Sequence, residues 1–186
     1  MFTDDLKDLA YETMARNQKY CAKHNCNFLS QRLTETERPA SWYKIPLIKK
    51  AFENGCDWAF YVDIDAWFLN FEKSVKDFLA TDKDIVISRD VNGFNCGVMA
   101  LRNCSYNQDL LDKLWEQDQF LDHIWWEQAA FQNFENENYN GLKDRIEIAP
   151  KEIFNAYYTD YTPESMLVHA VGQQDKLSHL KNLVLE

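Results

Sequence analysis

Trp58-Ala59-Phe60-Tyr61-Val62-Asp63-Ile64-Asp65 constrains this chain more than any other stretch: an apolar run too short for a helix, stopping at two carboxylates spaced i, i+2. Such a run reads as a buried strand that delivers charge to its own C-terminal edge. Side chains alternate along an extended backbone, so Asp63 and Asp65 are expected on one side of it, where both can meet one hard divalent cation. Aromatic Trp67 and Phe68 follow, so two uncompensated charges here would be costly unless a cation neutralised them. The plainer reading is that acidic residues and turns go together at any strand end.

Three chemistries compete for the pair. A calcium helix-loop-helix needs Gly at the sixth loop position and Glu at the twelfth, and Phe68 and Ser74 stand there instead. A phosphohydrolase with an aspartyl nucleophile needs a small hydroxyl residue close behind, and Ala66-Trp67 supplies none. The third is a nucleotide-sugar transferase, whose second Asp holds a cation that bridges the diphosphate.

A net charge of −10 argues against polyanionic partners, so neither nucleic acid nor an acidic membrane surface is expected. With 186 residues, 46% hydrophobic and 15% aromatic, residues 1–186 are expected to form a single domain with one large core. No stretch is apolar enough to span a bilayer, and the first thirty residues lack a signal-peptide pattern. The odd set Cys21, Cys26, Cys56, Cys96 and Cys104 favours reduced, mostly buried thiols and a cytoplasmic chain, the Golgi lumen being the alternative if a stem or anchor was removed.

In chain order, a helix is expected over 4–24, a short strand at 27–30, a loop to 40 and a helix over 41–54 that tolerates Pro46 near its start. After the central strand, Asn70 is expected to cap a helix over 71–80, followed by a strand at 84–88. Asn92-Gly93-Phe94-Asn95-Cys96-Gly97 reads equally as a hairpin or bulge and as a place where backbone approaches a ligand. Helices follow over 107–120 and 126–134, then strands at 146–148 and 166–168, and a surface helix over 175–186. The adjacent Trp125 and Trp126 read as core or lid packing ahead of a sugar platform. Strands alternating with helices predict an α/β fold with a mostly parallel sheet flanked by helices. Ligands in such sheets sit at the carboxyl ends of strands, where both Asp65 and His169 are expected. An imidazole completing a carboxylate site suits Mn2+ better than Mg2+.

Several further blocks occur in a fixed order: Trp42-Tyr43-Lys44-Ile45-Pro46-Leu47-Ile48-Lys49-Lys50, Tyr61-Val62-Asp63-Ile64-Asp65-Ala66-Trp67-Phe68, Ile87-Ser88-Arg89-Asp90, Asn95-Cys96-Gly97-Val98-Met99-Ala100-Leu101-Arg102-Asn103, Trp126-Glu127-Gln128 and Val168-His169-Ala170-Val171-Gly172. Together they resemble glycosyltransferase family 34, the retaining galactosyl-, mannosyl- and xylosyltransferases of GT-A fold. The resemblance implies a UDP-sugar donor, a carbohydrate acceptor and Mn2+, with Mg2+ as the substitute. It implies Asp63, Asp65 and His169 as metal ligands, Asp63 also meeting the ribose, and Lys44 near the donor. Asp90, Asn95 and Gly97 would line the donor sugar, with Gly172 in the same donor-binding set. Glu127 and Gln128 would face the reacting side of the sugar, as the catalytic pair. Asn155 falls where the family has a similar Asn. Relatives carry a lysine after the His-x-x-Gly block where this chain has Gln173 and Gln174, so Lys176 is expected to meet the diphosphate. The family's first strand, which helps hold the nucleotide base, is expected to be missing here. Two other readings stay open: a non-catalytic nucleotide-sugar or carbohydrate-binding domain, and a phosphohydrolase using Asp63 as nucleophile.

Overall fold

The computed structural model describes residues 1–183, so the last three positions of the expected C-terminal helix lie outside the described residues. A 3-10 turn leads into α1 (Lys7–His24), which buries Leu9, Ala10, Thr13, Asn17 and Tyr20 and ends where Asn25 takes a left-handed φ of 52°. Positions 27–30 form no strand; Phe28 and Leu29 instead line a groove. A second 3-10 turn opens α2 (Lys44–Glu53), whose first turn accommodates Pro46 because the amide it lacks has no helical partner there.

Then come β1 (Trp58–Val62), β2 (Ala66–Phe68), α3 (Lys76–Leu79), β3 (Ile85–Asp90), β4 (Gly93–Arg102), α4 (Ser105–Trp115) and α5 (Trp126–Asn136). They are followed by β5 (Ile146–Ile148), α6 (Lys151–Phe154), β6 (Ala156–Tyr157), β7 (Leu167–His169) and α7 (Lys176–Asn182). The expected helix over 71–80 shrinks to α3. The Tyr20 hydroxyl accepts from the Val75 amide and donates to the Lys73 carbonyl, taking backbone groups that a longer helix would need. Asn70 closes a local turn onto the Glu72 amide rather than capping a helix.

Two sheets form, in the orders β1-β4-β3-β5 and β2-β7-β6. They are mixed, not mostly parallel: β1/β4, β3/β4 and β2/β7 run antiparallel, β3/β5 and β6/β7 parallel. The cause is local. Only Val91 and Asn92 separate β3 from β4, too few for a crossover, and Gly93 at φ +103° completes the hairpin. Between Ile87 and Ser88 the ladder slips, its partners on β4 jumping from Met99 to Asn95. That bulge releases the Cys96 and Gly97 backbone from β3.

Alternation along the strands divides the core. Ile85, Ile87 and Leu101 pack with Trp42, Ile45, Ile48, Leu110 and Phe131 on one face. Val86, Val98 and Ala100 pack with Phe68, Phe154, Met166 and Tyr20 on the other. β1 is an edge strand, and a groove of about 800 Å³ runs beside it, lined by α1, α2 and residues 25–30 and reaching Asp63. All five cysteines are free, but only Cys96 is fully buried, contrary to the expectation of mostly buried thiols. Trp125 and Trp126 are 40% and 43% exposed, so they are not core. No described helix is long and apolar enough to cross a membrane.

Candidate functional site

The acidic pair does not sit on the strand itself. β1 ends at Val62; the Asp63 amide donates to the Gly97 carbonyl (2.7 Å) and the Ala66 amide donates back to the Asp63 carbonyl (3.1 Å). Asp63 to Ala66 is therefore a turn between β1 and β2, and the carboxylates converge because the backbone folds there rather than by strand alternation. β2 then pairs with β7 in the register Ala66 opposite His169, and the Ala170 amide donates to the Asp65 carbonyl at 2.9 Å. Antiparallel pairing thus carries an imidazole from far along the chain to Asp65, with His169 Nε2 3.1 Å from Asp65 Oδ1. Asp63, Asp65 and His169 each present one ligand atom, all within 4.8 Å of one another.

Space for this convergence comes from Gly97. A Cβ there would lie 2.3 Å from His169 Cε1 and 2.8 Å from Asp63 Oδ2. The donor set, two carboxylates and an imidazole, fits a divalent first-row cation. A positive charge already stands in this place: Lys176 Nζ is 2.5 Å from Asp65 Oδ2. Burial alone would raise the Asp65 carboxyl, yet His169 and Lys176 outweigh it and hold Asp65 well below the usual carboxylate range.

Beside the cluster lies a buried ion pair. Lys44, 2% exposed at the start of α2, reaches Glu127 Oε1 at 2.6 Å, the Cys96 carbonyl at 3.0 Å and Asp63 Oδ1 at 3.7 Å. Burial pulls its ammonium pKa down, but the Asp63 and Glu127 carboxylates more than reverse that and raise it above the ordinary lysine value. Glu127 Oε2 is buried with no hydrogen-bond partner among the described residues. The neighbouring Gln128 Oε1 accepts from the Cys96 amide (3.0 Å), using the backbone that the bulge freed.

A third group closes the wall. Asn95 Nδ2 donates to Asp90 Oδ2 (3.2 Å) and to the Tyr157 hydroxyl (2.7 Å), which itself donates to Asp90. Burial, then the Asp90 carboxylate, pushes the Tyr157 phenol well above its usual value.

The structure therefore assembles Lys44, Asp63, Asp65, Asp90, Asn95, Gly97, Glu127, Gln128, His169 and Lys176 into one connected neighbourhood. Gly172 lies in an exposed turn at φ +70°, where an added Cβ would meet nothing within 4 Å among the described residues. Two participants escaped sequence reasoning. Tyr61 donates to Asp63 Oδ1 at 2.7 Å, and its place two residues earlier in the sequence was the available signal. Tyr157 carried none, since it enters through β6, a two-residue strand with no periodicity to read.

The profile of the galactosyl transferase GMA12/MNN10 family matches residues 4–83 and 78–176. Among curated relatives, an alpha-1,2-galactosyltransferase of Schizosaccharomyces pombe is 23% identical, over 90% of this chain and 57% of its own length. A probable glycosyltransferase 6 of Oryza sativa subsp. japonica is 27% identical over 56% of this chain and 24% of its own. The chain thus spans from about a quarter to a little over half of these relatives. Two solved structures share the fold. A glycosyltransferase involved in the glycosylation of the major capsid of PBCV-1 superposes with a TM-score of 0.77 at 15% identity, covering 96% of this chain and 93% of that one. The galactosyltransferase LgtC, in complex with donor and acceptor sugar analogs, gives 0.58 at 13% identity, covering 99% and 94%. The fold is the α/β GT-A type, and the chain belongs to the galactosyl transferase GMA12/MNN10 family, glycosyltransferase family 34.

Proposed function

We propose that this chain is a retaining glycosyltransferase that moves a hexose or pentose from a UDP-sugar to a carbohydrate acceptor, holding a divalent cation on Asp63, Asp65 and His169. The observation that carries this is the convergence of those three side chains within 4.8 Å, next to a buried Lys44–Glu127 pair, in a chain of this family. A bound divalent cation, Mn2+ for this donor set ahead of Mg2+, supplies Lewis-acid neutralisation of the charge that builds on the departing diphosphate.

The chain's own residues do the rest. Asp63, tied by Tyr61 and facing the groove along β1, meets the nucleotide ribose. Lys176 already lies against Asp65 and adds positive charge for the diphosphate. Asp90, Asn95 and Gly97 line the sugar. Glu127 is committed to Lys44, so losing that pair to attack an anomeric carbon would leave the buried ammonium with only the more distant Asp63 carboxylate, 3.7 Å away. Gln128 is therefore the group at the reacting face: its oxygen takes one N–H from Cys96 and keeps a second lone pair to stabilise positive charge on the sugar. The exposed Trp125 and Trp126, next in sequence to this pair, suit an acceptor sugar that stacks on an indole.

The test is a panel of UDP-sugars with an oligosaccharide acceptor library, with and without Mn2+, reading UDP release and glycosylated product. Metal-dependent product with retained anomeric configuration is expected. Donor binding without turnover would favour the binding-domain reading, and metal-independent phosphate release from simple monoesters would favour a phosphohydrolase.

A further inference from the structure

The hydrogen bonds behind His169 run through two asparagines whose amide orientation is fixed by groups that have no choice of role. The Gly97 amide can only donate, and it meets Asn95 Oδ1 at 3.0 Å. Asp90, as a carboxylate, can only accept, and it meets Asn95 Nδ2 at 3.2 Å. Both ends of the Asn95 amide are thereby assigned. Asn155 faces that same Asn95 oxygen at 3.1 Å, so it must present its NH2 there. Its own oxygen is then left for His169 Nδ1, also 3.1 Å away. An amide oxygen can only accept, so Nδ1 must carry the proton. Asn155, His169 and Asn95 are 0%, 4% and 7% exposed, so bulk water hardly competes for these bonds.

We infer that Gly97, Asn95 and Asn155 form a positioning relay that keeps a His169 ring proton on Nδ1, so that in the neutral ring the lone pair falls on Nε2, the atom 3.1 Å from Asp65 Oδ1. In the neutral ring this sets two acceptors, His169 Nε2 and Asp65 Oδ1, 3.1 Å apart and facing one another. Either a proton on Nε2 or a shared cation satisfies that pair, and a bound divalent cation would take the proton's place. Asn155 acts through His169, so it is a positioning residue rather than a catalytic one. The relay also ties the wall assigned to the donor sugar, through Asp90 and Tyr157, to the metal-ligating imidazole by an unbroken line of hydrogen bonds. Its purpose rests on the metal reading above; the tautomer itself does not.

The test is ¹⁵N NMR of the histidine rings in the metal-free chain at alkaline pH, with His169→Gln to assign the signal, followed by Mn2+ titration calorimetry. Wild type should show His169 protonated on Nδ1 and bare at Nε2. Asn155→Leu, which keeps the volume and removes the acceptor, should give a mixed tautomer and weaken Mn2+ binding by about 10- to 100-fold. Asn155→Asp keeps an acceptor for Nδ1 and should retain the wild-type tautomer. A wild-type ring protonated on Nε2 overturns the relay, as does Asn155→Leu with unchanged tautomer and unchanged affinity. The expected tautomer in a chain that binds no Mn2+ would uphold the relay and defeat the metal reading instead.

Discussion

Replacing Gly97 with Ala is the sharpest single perturbation of the site. Gly97 does not have a positive φ, so a side chain there is opposed by space alone and not by backbone strain. The added Cβ would sit 2.3 Å from His169 Cε1, 2.8 Å from Asp63 Oδ2 and 3.1 Å from Asn95 Oδ1, when ordinary contact begins at 3.4 Å. The imidazole must therefore retreat by about 1 Å, in an interior packed too densely to absorb it. It cannot swing freely, because β7 pairs on one side with β2 and on the other with β6, and Asn155 holds Nδ1. Overpacking of this kind costs about 1–3 kcal/mol of stability. The consequence for a metal is greater, since coordination distances tolerate only about 0.2 Å. Mn2+ affinity should fall by at least the ~10- to 100-fold that loss of an outer contact alone produces. Calorimetric titration with Mn2+, paired with thermal unfolding to establish that the variant is folded, reads both effects. A folded Gly97→Ala chain with wild-type Mn2+ affinity would refute the claim that Asp63 and His169 converge around this glycine.

Asp65→Ala should abolish Mn2+-dependent release of UDP from the donor, measured by a coupled nucleotide assay, and unchanged turnover would remove Asp65 from the metal site. Lys44→Met leaves Glu127 as an uncompensated buried carboxylate and should cost about 3–5 kcal/mol in urea unfolding, with the Lys44→Met/Glu127→Leu double variant recovering much of it. If the single variant is as stable as wild type, the pair is not the anchor described. Trp125→Ala and Trp126→Ala should raise the acceptor KM while sparing metal-dependent donor hydrolysis; equal loss of both activities would point to structural damage instead. Burial pushes the Cys21 thiol up to about 11 from the ordinary 9.0. A raised acid favours the fold below the ordinary value and loses that contribution as pH climbs toward 11, so alkylation of Cys21 should stay slow at neutral pH and accelerate across that interval, by mass spectrometry. Rapid neutral labelling in the folded chain would contradict this.

Much of the site could be read before the fold was known, for a physical reason. A strand that must stop at buried charge has few ways to satisfy it, and the block order from Trp42 to Gly172 supplied the partners. Long periodic helices such as α1, α2 and α5 emerged near their expected limits because each carries an apolar face that only one surface can take. The failures share a cause as well. Whether β3 and β4 run antiparallel depends on a two-residue connection, and the number of residues in a turn outweighs the apolar runs on either side of it. Asp63 and Asp65 meet through a turn closed by the Asp63 carbonyl, a bond that no side-chain pattern encodes. α3 was shortened by a hydroxyl from Tyr20 more than fifty residues away, and β6 is too short to have a period. Trp125 and Trp126 were read as packing from their size, but solvent reaches both.

The proposed chemistry depends on one cation held jointly by Asp65 and His169. Anomalous diffraction from crystals grown with Mn2+ and UDP tests it most directly. A single strong peak bonded to an Asp65 oxygen and to His169 Nε2 is expected, with Lys176 displaced from Asp65. A peak elsewhere, or no peak with both side chains in their present contact, would contradict it.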